Sequence, residues 1–100
     1  MIKHIVLWRL KETSGDQTKE KNASKLKTIL EDLKGKIPEI KSLEVGIDFN
    51  RSEAASDVAL YSEFENKEAL ERYQKHSEHM KVVAFVKEIS AERRVVDYIS

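Results

Sequence analysis

The chain has no cysteine among its 100 residues, which excludes disulfides and any thiolate metal site. Neither sign of charge is in excess: 18 Lys and Arg stand against 18 Asp and Glu. A general nucleic-acid binder would carry a basic surplus or stripe, so that class is set aside. No window approaches the roughly 20 apolar residues that a membrane helix requires. The opening Met1-Ile2-Lys3-His4 lacks the apolar core and small-residue cleavage site of a signal peptide, which points to the cytoplasm. No repeat of roughly 20–50 residues and no low-complexity tract is present. What is left is a chain of the size of one small domain, spanning 1–100. At this length somewhat under ~70% of the unfolded surface is buried, enough for one modest core.

Hydrophobic patterning places the elements. Residues 2–10 alternate, with Ile2, His4, Val6, Trp8 and Leu10 on one face and Lys3, Ile5, Leu7 and Arg9 on the other. Both faces are apolar in the middle, so this strand is expected to be covered on both sides. Residues 11–18 are polar and read as a loop, with Ser14, Asp16 and Thr18 as candidate caps. Ala23, Leu26, Ile29, Leu30, Leu33 and Ile37 then form one helical stripe beside a solvated face of lysines and glutamates. Gly35 reads as its C-terminal cap, and Pro38 forbids much continuation. Residues 40–50 and 57–65 alternate as second and third strands, and Gly46 suggests a bulge or a close approach by another group. Asn66 can cap a short helix with Ala69, Leu70 and Tyr73 inward, and Ser77 can cap the next, with Met80, Val83, Ala84 and residues 86–89 as its buried stripe. Residues 93–99 close the chain as a fourth strand centred on Val95 and Val96.

The order β-α-β-β-α-β, with a broken second helix, is that of a ferredoxin-like α+β protomer: an antiparallel four-stranded sheet with helices on one face. Helices cover one face only. The apolar character of the other predicts a second copy of the same sheet, hence a two-fold homodimer enclosing a barrel.

Two of the three histidines lie in Tyr73-Gln-Lys-His-Ser-Glu-His79, and the third is His4. An imidazole titrates near ~6.5 and can take and return protons at neutral pH. A tyrosine hydroxyl can hold a carbonyl or enolate oxygen, and enolisation needs only these parts. Each residue also has a plainer reading. His4 can be a satisfied core histidine, Tyr73 packing, His76 a support for the loop before the last helix, and Trp8 barrel-core packing. Asp97, on the same strand face as Val95, reads as a structural hydrogen-bonding group at the barrel or its rim. His76, His79 and Glu78 make a poor closed metal site, because Glu78 points away from them on a helix and no third ligand is close.

Several stretches together resemble the stress-responsive α/β-barrel (Dabb) domain family. They are Met1 to Lys11 with its Lys3-His4, residues 60–65 (Leu-Tyr-Ser-Glu-Phe-Glu), the Tyr-x-x-His-x-x-His segment at 73–79, and residues 95–98 (Val-Val-Asp-Tyr). The resemblance runs the whole chain and implies a dimeric α+β barrel of ferredoxin-like protomers. A plant branch of that family closes rings of linear poly-β-keto thioesters without metal or organic cofactor. Its catalytic positions correspond to His4, Tyr73 and His79, with no metal and no cofactor expected. Val6, Trp8, Leu60, Ser62, Met80 and Arg93 are the candidates for the substrate-binding wall, though the pocket side chains do not match those of that branch. Ser77 departs from the proline of that branch, and Ser62, Ser90 and Arg93 imply a cavity more polar than a long alkyl chain would suit.

The leading expectation is therefore a small dimeric barrel that binds a carbonyl compound, with cofactor-free acid–base chemistry. The alternative is a non-enzymatic, protective or scaffolding role under stress. A monooxygenase role, by analogy with related barrels, fits poorly because no histidine stands out as a haem ligand. The first needs a cavity of a few hundred Å³ lined by His4 and His79. The second expects a filled interior with its histidines bonded to backbone.

Overall fold

The structure, a computed structural model, describes residues 1–100. Strand β1 (Ile2–Leu10) leads into a small hairpin, β2 (Thr13–Ser14) and β3 (Gln17–Thr18), then helix α1 (Lys19–Asp32) and a 3₁₀ turn at Leu33–Gly35. Strands β4 (Ile40–Ile47) and β5 (Val58–Phe64) follow, then helices α2 (Lys67–Lys75) and α3 (Ser77–Ile89), and finally strand β6 (Ser90–Ile99). The main sheet is antiparallel in the order β4-β5-β1-β6, with β1 and β5 central. This is the ferredoxin-like α+β arrangement expected from the patterning.

Register aligns the chemistry. His4 lies opposite Ser62 on one side and Asp97 on the other, Val6 opposite Leu60 and Val95, and Trp8 opposite Val58 and Arg93. Opposed residues in antiparallel strands point to the same face, so these three rows form one surface under the helices. There Ile2, His4, Val6, Trp8, Val58, Leu60, Ser62 and Phe64 are buried. From the helices, Leu26 and Leu30 of α1, Tyr73 of α2, and Val82 and Ile89 of α3 close the core. On the opposite face Leu7, Val96 and Tyr98 remain 39–51% exposed. No helix is long and apolar enough to cross a membrane.

Several local expectations are corrected. The polar stretch after β1 is not a loop but a hairpin, turning through Gly15 and Asp16 with φ of 60° and 65°. Two consecutive left-handed residues suit the twist of such hairpins. Of the three candidate caps, Thr18 is the one whose side chain accepts from the Lys21 N–H. Gly35 ends a 3₁₀ turn and is not in the left-handed conformation. Gly46 pairs regularly with Ala59 and has open space where a Cβ would sit, so it marks no bulge; the register shift lies between Ile40 and Ser42.

Helix α2 is capped by Asn66, whose Oδ1 accepts from the Ala69 N–H at 2.8 Å, as its position suggested. Helix α3 is capped by His76 and not by Ser77: the His76 Nδ1 accepts from the Glu78 N–H at 3.1 Å. The buried stripe of α3 is Val82 and Ile89, with Phe85 and Val86 partly buried, while Met80 is 53% exposed. The run from Val82 to Val86 is apolar throughout and carries no period, so only packing against the sheet sets its phase. Strand β6 begins at Ser90, directly off the helix, three residues earlier than its hydrophobic centre suggested.

Candidate active site

A cavity of about 290 Å³ lies between the sheet and the helices. Its floor is His4, Val6 and Trp8 of β1 with Leu60 of β5; Arg93 of β6 stands at its side. Its roof is Leu30, Tyr73, His79 and one face of α3 made by Val82, Val83, Val86 and Lys87. The structure thus brings His4, Tyr73 and His79 to one space, along with Val6, Trp8, Leu60 and Arg93. It does not bring Ser62 or Met80 there. Ser62 is fully buried and donates its hydroxyl to the His4 carbonyl at 2.9 Å, which anchors β5 to β1. Met80 follows His79 on α3 and is turned outward to solvent. Ser90 also lies off the cavity wall, its hydroxyl buried without a partner.

Tyr73 sits between the two imidazoles. Its ring centroid is 4.4 Å from that of His79 and 6.2 Å from that of His4, with Phe64 packed at 4.8 Å from it. The placement follows from local sequence. Tyr73 lies on the inward stripe with Ala69 and Leu70, and the break between α2 and α3 at His76 lets the chain turn so that His79 folds back over the same ring.

The hydrogen bonds of the histidines settle their tautomers. His79 Nδ1 lies 3.0 Å from the Gln74 carbonyl oxygen. A carbonyl only accepts, so Nδ1 carries the proton and Nε2 keeps its lone pair. Burial pushes the His79 pKa below its ordinary value; the Gln74 bond opposes this, and the charges of His4, Arg93 and His76 add to it. His79 is therefore a neutral base at neutral pH. His4 Nδ1 is paired with the Asp97 carboxylate in a short contact, while the His4 side chain is only 3% exposed. Asp97, read from sequence as structural, thus orients the buried imidazole and leaves its other nitrogen free. Its sequence signal was its strand parity with Val95, but only the β1–β6 register matches it to His4.

Two donors at this cavity have no partner. The Tyr73 hydroxyl and the Trp8 indole N–H are both buried and unbonded. Burial holds the Tyr73 hydroxyl up, to about 12, against the opposing charge of Arg93, so it remains a proton-bearing donor. Buried donors without a protein partner are rare in folded proteins, and these two lie where a bound molecule could supply the acceptor. Lys87 falls within the stretch 86–89 expected as buried stripe, but it is exposed and lines the cavity; a lysine between Val86 and Glu88 carries no pattern that marks it as a site residue.

The family described as the stress responsive A/B barrel domain matches residues 2–100. No curated protein matches the sequence. Among solved structures, the chain is similar to a dimeric protein of unknown function with a ferredoxin-like fold from Bacteroides fragilis, 34% identical with a TM-score of 0.85 over 99% of this chain and 95% of that one. It is also similar to a dimeric ferredoxin-like protein of unknown function from Thermobifida fusca, 26% identical, TM-score 0.84, over 99% and 90%. The hydroxynitrile lyase from Passiflora edulis shares the fold at 19% identity, TM-score 0.83, over 99% and 92%. A match along nearly the whole chain, on the fold expected of it, makes this protein a member of the stress-responsive A/B barrel domain family.

Proposed function

We propose that this protein binds a small carbonyl compound in the cavity beneath its helices and catalyses proton transfer at the carbon next to the carbonyl. The observation that carries the reading is the convergence of a neutral base and an unbonded hydroxyl on one apolar space: His79, with Nε2 unprotonated, packed at a tilt with its ring centroid 4.4 Å from that of Tyr73. The His79 Nε2 lone pair takes the α-proton. The C–H bonding pair becomes the C=C of an enolate, whose oxygen receives the Tyr73 O–H hydrogen bond. The imidazolium then returns the proton to carbon, or the enolate carbon attacks a second carbonyl. His4, held by Asp97 from outside the cavity wall, lies on the floor, where its other nitrogen can relay a proton to or from the bound molecule. The step uses only these side chains.

Deuterium exchange followed by proton NMR tests this. The probes are 2-oxohexanoate and its uncharged amide, 2-oxohexanamide, whose C3 protons lie next to the ketone. Exchange at C3 of at least one probe is expected to exceed the buffer rate. The rate should be flat above about pH 6.5, the ordinary imidazole value, and should fall only as the pH drops through the lower pKa of folded His79. No alkaline loss is expected near neutrality, since Tyr73 holds its proton to about 12. Stability follows the same sign: the unfolded chain binds the His79 proton more tightly, so this group's contribution is complete above the ordinary value and is lost at lower pH. Exchange no faster than buffer with both probes would sink the reading.

The working unit under this reading is a homodimer. Ile5, Leu7, Val96 and Tyr98 form an apolar patch on the sheet face that the helices leave open, with Leu7 39%, Val96 51% and Tyr98 45% exposed. A monomer rarely leaves such a patch uncovered on a sheet. The similar Bacteroides fragilis protein is described as dimeric. Val96→Lys is expected to convert the dimer to monomer in sedimentation velocity; a wild type that sediments as a monomer at micromolar concentration rules the assembly out.

A further inference from the structure

We propose that the natural ligand is a small oxo-carboxylate, its carboxylate held by Arg93 and Lys87 and its ketone by the Tyr73 hydroxyl. This rests on the acid–base reading of the same cavity and adds the charge of the substrate. Arg93 and Lys87 both line the cavity. Neither takes part in an ion pair or a side-chain hydrogen bond, although cations around them do. Arg94 and Arg9 share Glu92, at 2.6 and 3.6 Å, and Lys81 holds Glu78 at 2.8 Å. The one carboxylate on Arg93's own face of β6, Asp97, is engaged by His4. Two uncompensated positive charges therefore border an apolar space that contains no carboxylate of its own.

A second, independent observation points the same way. Trp8 is 4% exposed, its indole N–H has no acceptor, and it stands opposite Arg93 in the β1–β6 register. Indole donor and guanidinium are thus on neighbouring strands at one level of the sheet, and the Tyr73 hydroxyl is a second unbonded donor on the opposite wall. Arg93 lines the same cavity as Tyr73 and His79, close enough for its charge to act on both. The complement of this donor set is a molecule with one anionic group and one neutral acceptor. The valines of α3 suit a short aliphatic body, and a volume of about 290 Å³ is at the small end for ligand pockets.

The test uses the full chain and the same two probes, with binding read by isothermal titration calorimetry. The carboxylate of 2-oxohexanoate is expected to give affinity about 10- to 100-fold above 2-oxohexanamide, the range for a hydrogen bond to a charged group. Arg93→Gln should remove most of that preference, Arg93→Lys should keep part of it, and the amide's affinity should change far less than the acid's across the three proteins. Lys87→Gln provides a second reading. Both positions are exposed, so the variants fold, which an unchanged melting temperature verifies. Equal affinity for acid and amide, or an acid preference that survives Arg93→Gln and Lys87→Gln together, overturns the carboxylate assignment and leaves carbonyl binding intact. Arg93-dependent binding of the acid without C3 exchange supports the assignment and overturns the proton-transfer reading. Binding of neither probe overturns both.

Discussion

Replacing His79 with alanine is expected to lower the rate of C3 exchange by roughly 100- to 10,000-fold, the usual contribution of a positioned general base. The imidazole is the one neutral base whose protonation state the surroundings set directly. Gln74 holds the proton on Nδ1, and burial holds the ring uncharged. Alanine also removes packing against Tyr73, so His79→Gln is the sharper variant. The glutamine amide can still donate to the Gln74 carbonyl and fill much of the ring's space, but it accepts no proton at neutral pH. Both variants should lose exchange to a similar extent, and His79→Gln should melt closer to wild type. Exchange retained in His79→Gln would assign the base elsewhere, with His4 the next candidate.

The second large effect is expected from Tyr73→Phe, at about 100- to 1,000-fold in exchange, the size seen when one donor to a developing oxyanion is removed. This substitution separates chemistry from structure. In the free protein the Tyr73 hydroxyl is fully buried and has no hydrogen-bond partner. Removing it takes away no hydrogen bond to another protein group. Thermal stability should therefore hold or rise while activity falls. The ring remains packed on Phe64 and His79, at 4.8 and 4.4 Å. A melting temperature lowered by several degrees, with exchange unaffected, would mean that the hydroxyl serves the fold and not a ligand.

Much of the architecture was legible along the chain. Alternation in residues 2–10 located the central strand, and its apolar far face pointed to an uncovered sheet. The stripe from Ala23 to Ile37 located the long helix, and Asn66 its shorter successor. These signals are local: a strand's period of two and a helix's of 3.6 are set by backbone geometry within a few residues. Errors gathered where the local signal is degenerate. The five consecutive apolar residues Val82 to Val86 have no period, so Met80 was placed inward and Val82 overlooked. Ser77 was the expected cap of the last helix, and His76 caps it instead through a ring nitrogen, a role that no residue-type preference announces. The hairpin at Gly15-Asp16 was missed because a two-residue turn between two-residue strands leaves too little alternation to read.

For the site, the residue types and their order were available from sequence: an imidazole on the first strand, and a tyrosine and an imidazole six residues apart around a helix break. That is enough to name the chemical parts. What the chain could not specify alone is which parts meet. Asp97 reaches His4 only because β6 pairs with β1 in one register, and a slip of one residue would turn the carboxylate to the other face. The same register sets Arg93 beside Trp8, and the roll of α3 decides that Val82, Val86 and Lys87 face the cavity while Met80 faces solvent. Element type is written in short-range periodicity, so sequence alone determined the fold of this protein. Register and helix rotation are chosen by packing between residues up to 93 positions apart, so the tertiary structure alone decided the cavity, its unbonded donors and its unpaired charges.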